Sequence, residues 1–153
     1  MKQYKQMDRN LLISQIENIL DISLPLYSNL SNASALLNQL EDINWAGFYI
    51  NKDNTLYLGP FQGEVACTKI DIGKGVCGTC LQTKKPIIVP DVNKFEGHIA
   101  CSSKSKSEIV VPILKNDHLV ALIDIDSPIY DRFNNDDLIT LNKIAELLSK
   151  LDY

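Results

Sequence analysis

The chain has 153 residues, 45% of them hydrophobic and 22% charged, with a formal net charge of -4. That length suits one domain burying about 70% of the surface its unfolded form exposes, and the composition excludes disorder and fibrous repeats. The lysines are scattered rather than striped, which excludes the basic footprint of a nucleic-acid binder. No run reaches the ~20 apolar residues that span a bilayer, and MKQYKQMDRN lacks a signal peptide's apolar core, so no membrane is expected and the compartment is read as cytoplasmic.

Residues 1–42 read as helices. Leu12, Ile16, Ile19 and Leu20 form one apolar stripe and Leu30, Ala33, Leu37 and Leu40 another, with Ser23 and Pro25 suiting a helix start between them. These are packing or dimer-forming elements, which leaves a homodimer open. From Ile43 the apolar period changes to two. INWAGFYI sends Ile43, Trp45, Gly47 and Tyr49 to one face and Asn44, Ala46, Phe48 and Ile50 to the other. KDNT reads as a turn, followed by strands at TLYLGPF, ACTKIDI and, briefly, TKKPIIVPD. SEIVVPIL and HLVALIDID form a hairpin. A final helix starts near Asn134 or Asn135, places Asp136 and Asp137 in its first turn, and buries Leu138, Leu141, Ala145 and Leu148.

The order is helices, then an antiparallel sheet with pocket loops over residues 43–133, then a helix over residues 134–153. With no repeat or linker, this predicts a single α+β domain whose N-terminal and C-terminal helices cover one sheet face, leaving the other for a ligand.

Within LVALIDIDSP, alternation puts Val120, Leu122, Asp124 and Asp126 on the open face and Ala121, Ile123 and Ile125 on the helix-covered face. The partner strand turns Ile109, Val111 and Ile113 inward and Glu108, Val110 and Pro112 outward. A two-residue loop at Asn116 and Asp117 would pair Glu108 with Ile125. A three-residue loop through His118, with a bulge, pairs Glu108 with Asp126 and Ile109 with Ile125, and burial selects this register. Glu108, Asp124 and Asp126 are therefore expected to converge. Each like-charge pair at ~4 Å repels by about 4 kcal/mol at an effective dielectric near 20. A bound cation or a protonated carboxyl must compensate. Trp45 and Tyr49, four residues apart on one strand face, read as core aromatics or as a wall for a small apolar group such as a thioether methyl.

Four cysteines in a reducing compartment direct attention to redox, nucleophilic or metal chemistry, against the alternative of small buried hydrophobes. Cys101 stands out, opening a polar, lysine-bearing loop. GKGVCG at residues 73–78 matches G-x-G-x-x-G, but no parallel βαβ unit surrounds it and Pro86 soon follows, so it reads as a tight turn. Cys77, Cys80, His98 and Cys101 have the spacing of a tetrahedral zinc set, and Cys77 with Cys80 resembles a redox C-x-x-C. A domain of this size needs no structural metal, and neither metal nor cofactor is expected.

NWAGFY, LGPFQG, IGKGVCGT, HIAC, SEIVVPI and DIDSP, in this order, closely resemble the free methionine-(R)-sulfoxide reductase family, small enzymes built on the GAF fold. The likeness runs from about Ile43 to Phe133. It implies a single GAF domain over residues 1–153 that reduces free L-methionine (R)-sulfoxide. By position, the family's three cysteines fall on Cys67, Cys77 and Cys101. Its pocket aromatics fall on Trp45 and Tyr49, and its pocket acids on Glu108, Asp124 and Asp126. Cys80 departs from the pattern, which usually has a small residue there.

The resemblance further implies that Cys101 attacks the sulfoxide sulfur and becomes a sulfenic acid. Cys67, with Cys77 next in line, then condenses with it to a disulfide that thioredoxin reduces. Glu108 or Asp126, kept protonated, would hydrogen-bond the sulfoxide oxygen. The three acids would hold the α-ammonium that distinguishes free methionine from a peptide residue. The opposing expectation is a GAF module that senses a small ligand without chemistry.

Overall fold

Three helices and a six-stranded antiparallel sheet enclose the larger of two apolar clusters. The computed structural model describes residues 8–98 and 104–153. Helices α1 (Arg9–Ile19) and α2 (Leu26–Leu37) precede strands β1 (Trp45–Lys52), β2 (Thr55–Gln62) and β3 (Lys69–Asp71). Helix α3 (Gly75–Thr83), strand β4 (Ile87–Val89) and a 3-10 turn at Val92–Lys94 lead to the hairpin β5 (Ser107–Lys115) and β6 (His118–Ser127), and α4 (Asn135–Leu148) follows. The strand order is β3-β2-β1-β6-β5-β4. This is the expected α+β architecture, with β1 and β6 at the centre of the sheet.

Alternation along these strands divides the interior. Ala46, Phe48, Ile109, Val111, Ile113, Ala121, Ile123 and Ile125 pack against Leu12 and Ile16 of α1, Leu30, Ala33 and Leu37 of α2, and Leu141, Ile144 and Leu148 of α4. Trp45, Tyr49, Val110 and Leu122 point the other way, into a second cluster. The three helices cover one face because each offers an apolar stripe to a sheet that alternates. An ion-pair group fastens them: Arg9 and Arg132 both reach Glu41 and Asp137 at 2.7 to 3.2 Å. Asp137 also closes the capping box of α4, its carboxylate accepting from the Asn134 N–H while the Asn134 side chain accepts from the Asp137 N–H.

The hairpin register pairs Glu108 with Asp126 and Ile109 with Ile125, as burial requires. The turn is shorter than expected. Lys115 pairs with His118 across a two-residue turn at Asn116 and Asp117, both at positive φ, and the register is corrected by an irregularity at Ile113/Leu114 instead. The extra residue falls opposite in β6, and Val120 packs toward the helix-side cluster rather than the open face. Ile43 likewise packs on the helix side, because it precedes β1 and is not bound by its alternation. The third strand is confined to Lys69–Asp71.

Helix α3 was not expected. Its glycines and the nearby Pro86 argue for a turn, and a turn does open it, with Gly73 at φ 80° and Gly75 at φ 61°. The helix forms nonetheless because Val76, Cys77, Cys80 and Leu81 are buried against the second cluster. Gly78 lets it lie close to β3, since a Cβ there would stand 2.5 Å from the Asp71 carbonyl oxygen. The open face of the sheet is thus capped by a helix as well as loops.

Candidate active site

The site is assembled by neighbouring strands. Trp45 on β1 pairs with Asp126 on β6, which pairs with Glu108 on β5, forming one row across the sheet. In the next row Gly47 pairs with Asp124 and Asp124 with Val110. All the acids face the α3 side, where they line a cavity of about 50 Å³ with Trp45, Tyr49, Cys77 and His98. Gly47 lets the Trp45 ring lean across the strand, since a Cβ there would lie 2.8 Å from the indole edge. Trp45 stacks on Phe61 and on Tyr49 at centroid distances of 5.2 and 6.1 Å.

These aromatics also bind backbone. The indole N–H of Trp45 donates to the Glu64 carbonyl at 3.1 Å, and the Tyr49 hydroxyl donates to the Cys67 carbonyl at 2.8 Å. They thereby seat the loop after β2, which brings Val65, Ala66 and Cys67 to the pocket side. Glu64 meets Lys104 at 2.5 Å, linking this loop to the segment before β5.

The acids are nearly dry, with Glu108 7% and Asp124 5% exposed. Burial pushes the Glu108 carboxyl well above the usual carboxylate range, and the charges of Asp124 and Asp126 push the same way. Burial and the Asp124 charge raise Asp126 as well, against hydrogen bonds involving Glu108 and Ser105. Asp124 is raised by burial but held back by hydrogen bonds from Glu108 and Cys77. Glu108 and Asp126 are thus both pushed toward the protonated form, while the rise at Asp124 is partly held back by its hydrogen-bond partners. Oδ1 of Asp124 and Oδ1 of Asp126 are both buried without a hydrogen-bond donor. These two oxygens leave the cluster short of hydrogen-bond donors.

Cys77 and Cys80 are free thiols in α3, and Cys67 is held in a disulfide. Burial and the three carboxyls push the Cys77 thiol well up. Burial, then Asp124, pushes Cys80 up to about 12. Cys101 lies outside the described residues. The zinc spacing noted in the sequence therefore falls partly on an undescribed position. Among the described residues, the group that could hold a metal is Cys77, Glu108 and Asp124. Of the loop lysines, Lys104 meets Glu64, and Lys106 lies over the Tyr130 ring at 5.1 Å. The sequence reading missed Val65, Ala66, Lys74, Val76, Val92, His98 and Ser105 as pocket residues. Most sit on loops or on the unforeseen α3, where no periodicity could flag them.

An antiparallel sheet with helices on one face and a capped small-ligand cavity on the other defines a GAF domain, and the family model described as GAF domain matches residues 23–150. A curated relative in Saccharomyces cerevisiae (strain S288c), free methionine-R-sulfoxide reductase, is 50% identical over 148 residues, covering 91% of this chain and 82% of its own length. The structure of the reduced form of fRMsr of Staphylococcus aureus is 47% identical with a TM-score of 0.91, over 95% of this chain and 96% of that one. The same protein's complex with substrate is 46% identical with a TM-score of 0.89, over 95% and 96% of the two chains. This chain belongs to the free methionine-R-sulfoxide reductase family of GAF proteins, and it is an oxidoreductase.

Proposed function

We propose that the protein reduces free L-methionine (R)-sulfoxide to L-methionine, and that the residues of the capped pocket carry the reaction. The observation that carries this reading is the donor-poor cluster of Glu108, Asp124 and Asp126 beside an aromatic wall. An α-ammonium has three N–H donors and a positive charge, which is what two orphaned carboxylate oxygens lack. Peptide-bound methionine has no such cation, so the same cluster selects the free amino acid. Trp45 and Tyr49 meet the S-methyl end. Glu108, protonated by its neighbours, hydrogen-bonds the sulfoxide oxygen and supplies the proton it needs to leave as a hydroxyl.

Cys101 is the nucleophile of this proposal. Its thiol attacks the sulfoxide sulfur, the protonated oxygen then passes from that sulfur to the Cys101 sulfur as the new S–S bond breaks, and methionine departs as the thioether, leaving a sulfenic acid on Cys101. Cys67 then attacks that sulfur, releasing water and forming a disulfide, which thioredoxin returns to two thiols. Two features support Cys67 over Cys77 in the resolving role: Cys67 is held in a disulfide, whereas Cys77 is buried among acids that disfavour its thiolate. Recycling by thioredoxin fits a protein that works in the reducing cytoplasm. Exposed Leu11, Ile22, Leu24 and Tyr27 on the first helices and their connection support pairing as a homodimer.

The test offers the reduced protein the separate R and S epimers with thioredoxin. Consumption of the R epimer alone is expected, and Cys101→Ser should abolish the first equivalent of methionine. Binding without turnover of either epimer would identify a ligand sensor instead. A full equivalent of methionine from Cys101→Ser would move the nucleophile to another cysteine.

A further inference from the structure

We propose that the pocket is also a divalent-metal site, in which Cys77, Glu108 and Asp124 hold a zinc ion in competition with the ammonium of the substrate. Sγ of Cys77 and one carboxylate oxygen each of Glu108 and Asp124 lie within 4.8 Å of one another, and all three residues are buried. Zinc bonds of about 2.0–2.3 Å to sulfur and oxygen place tetrahedral donors under ~4 Å apart, so closing this set needs a movement of about one ångström. The independent sign of a missing cation is Asp124, 5% exposed, whose Oδ1 faces the cavity without a donor. The Oδ1 of Asp126 is in the same condition beside it.

The donor set selects the metal. One soft sulfur with two hard carboxylates suits borderline Zn²⁺ and disfavours Mg²⁺ and Ca²⁺, which take oxygen ligands. Three protein ligands leave a fourth position open to water, within a cavity of about 50 Å³. The donors come from β5, β6 and α3, which the sheet and its capping helix already hold together, so the ion orders nothing new. Because the same carboxylates would receive the substrate, bound zinc acts as a reversible inhibitor. Only this competition rests on the proposed function.

The test titrates Zn²⁺ into the reduced, chelator-washed protein by calorimetry and repeats the titration with Co²⁺, reading the thiolate-to-cobalt charge-transfer absorption. One zinc per chain is expected. Loss of a ligand in Cys77→Ala or Asp124→Asn should weaken binding by at least about tenfold, and the cobalt band should vanish in Cys77→Ala. Cys80→Ala should bind as the unaltered protein does. Circular dichroism checks that each variant is folded, and Asp124→Asn, being isosteric, serves if Cys77→Ala fails to fold. Zinc lost in Cys80→Ala and His98→Ala but kept in Asp124→Asn would overturn the proposal in favour of a cysteine-histidine set. Binding indifferent to all four changes would overturn it outright. Methionine sulfoxide should raise the apparent zinc dissociation constant. Tight zinc binding that the sulfoxide leaves unchanged would count against shared occupancy and so overturn the competition, whatever the enzyme assay gives.

Discussion

Glu108 lies beside Asp126 and Asp124, and in the proposed reaction its proton serves both binding and chemistry. Glu108→Gln keeps the shape and removes the transferable proton. Steady-state assays with the R epimer should show kcat/KM lower by about 10²–10⁴. The same change fixes a neutral group where burial, Asp124 and Asp126 oppose a charge, so thermal melts without substrate, at pH high enough to ionise Glu108, should rise by about 2–4 °C for each ~1 kcal/mol of that opposition removed. A residue of merely structural value would lose activity and stability together. Tyr49 separates differently. Its ring belongs to the pocket wall, while its hydroxyl donates to the carbonyl of Cys67. Tyr49→Phe should leave the first equivalent of methionine unchanged and slow disulfide formation by about 2–10-fold, the worth of one hydrogen bond. Rapid-quench analysis with a sulfenic-acid trap would register the accumulated intermediate.

Helices α1 and α4 meet the turn after α2 through Arg9, Glu41, Arg132 and Asp137, and the two arginines share both acids. The Arg132 and Asp137 side chains are 7% and 5% exposed, so removing one strands the other in a dry environment. Arg132→Ala should cost about 3–5 kcal/mol in urea unfolding, with KM for the sulfoxide little changed because the network lies on the opposite side of the sheet from the pocket. Element by element, the stripe at Leu12 and Ile16, the turn at Asp53 and Asn54, and the capped start of α4 are readable from sequence, because each depends on residues within one or two turns. Helix α3 is not. Gly75, Gly78 and the nearby Pro86 are poor local advertisements for a helix, and it forms only because Val76, Cys77, Cys80 and Leu81 find a sheet to cover.

Two groups of acids pull the whole molecule's pH response in opposite directions. At Glu41, burial works upward but the hydrogen bonds and charges of Arg9 and Arg132 prevail, bringing it down to about 2. Its contribution is present above the ordinary glutamate range and is lost as pH falls toward about 2. The pocket acids are raised instead. The folded protein keeps protons there that the unfolded chain releases. The stability they contribute is complete below the ordinary carboxylate range and disappears as pH rises through their folded values. Chemical denaturation as a function of pH, without substrate, should therefore show stability falling from mildly acidic toward alkaline pH. Glu108→Gln should flatten that slope and leave the acid limb in place.

The period of two along LIDID and SEIVVPI was enough to bring Glu108, Asp124 and Asp126 to one face, because side chains alternate along an uninterrupted strand and burial of Ile109 against Ile125 admits one register; at Val120 the hairpin irregularity breaks that alternation. The same alternation assigned Trp45 and Tyr49 to a common side. What required the folded molecule was everything that depends on cover: how dry the acids are, which oxygens lack donors, that Cys77 hangs over them from α3, and that the aromatics seat the Cys67 loop. Desolvation and hydrogen bonding between groups as far apart in the chain as Cys77 and Asp124 are properties of packed neighbours, and no local pattern encodes them.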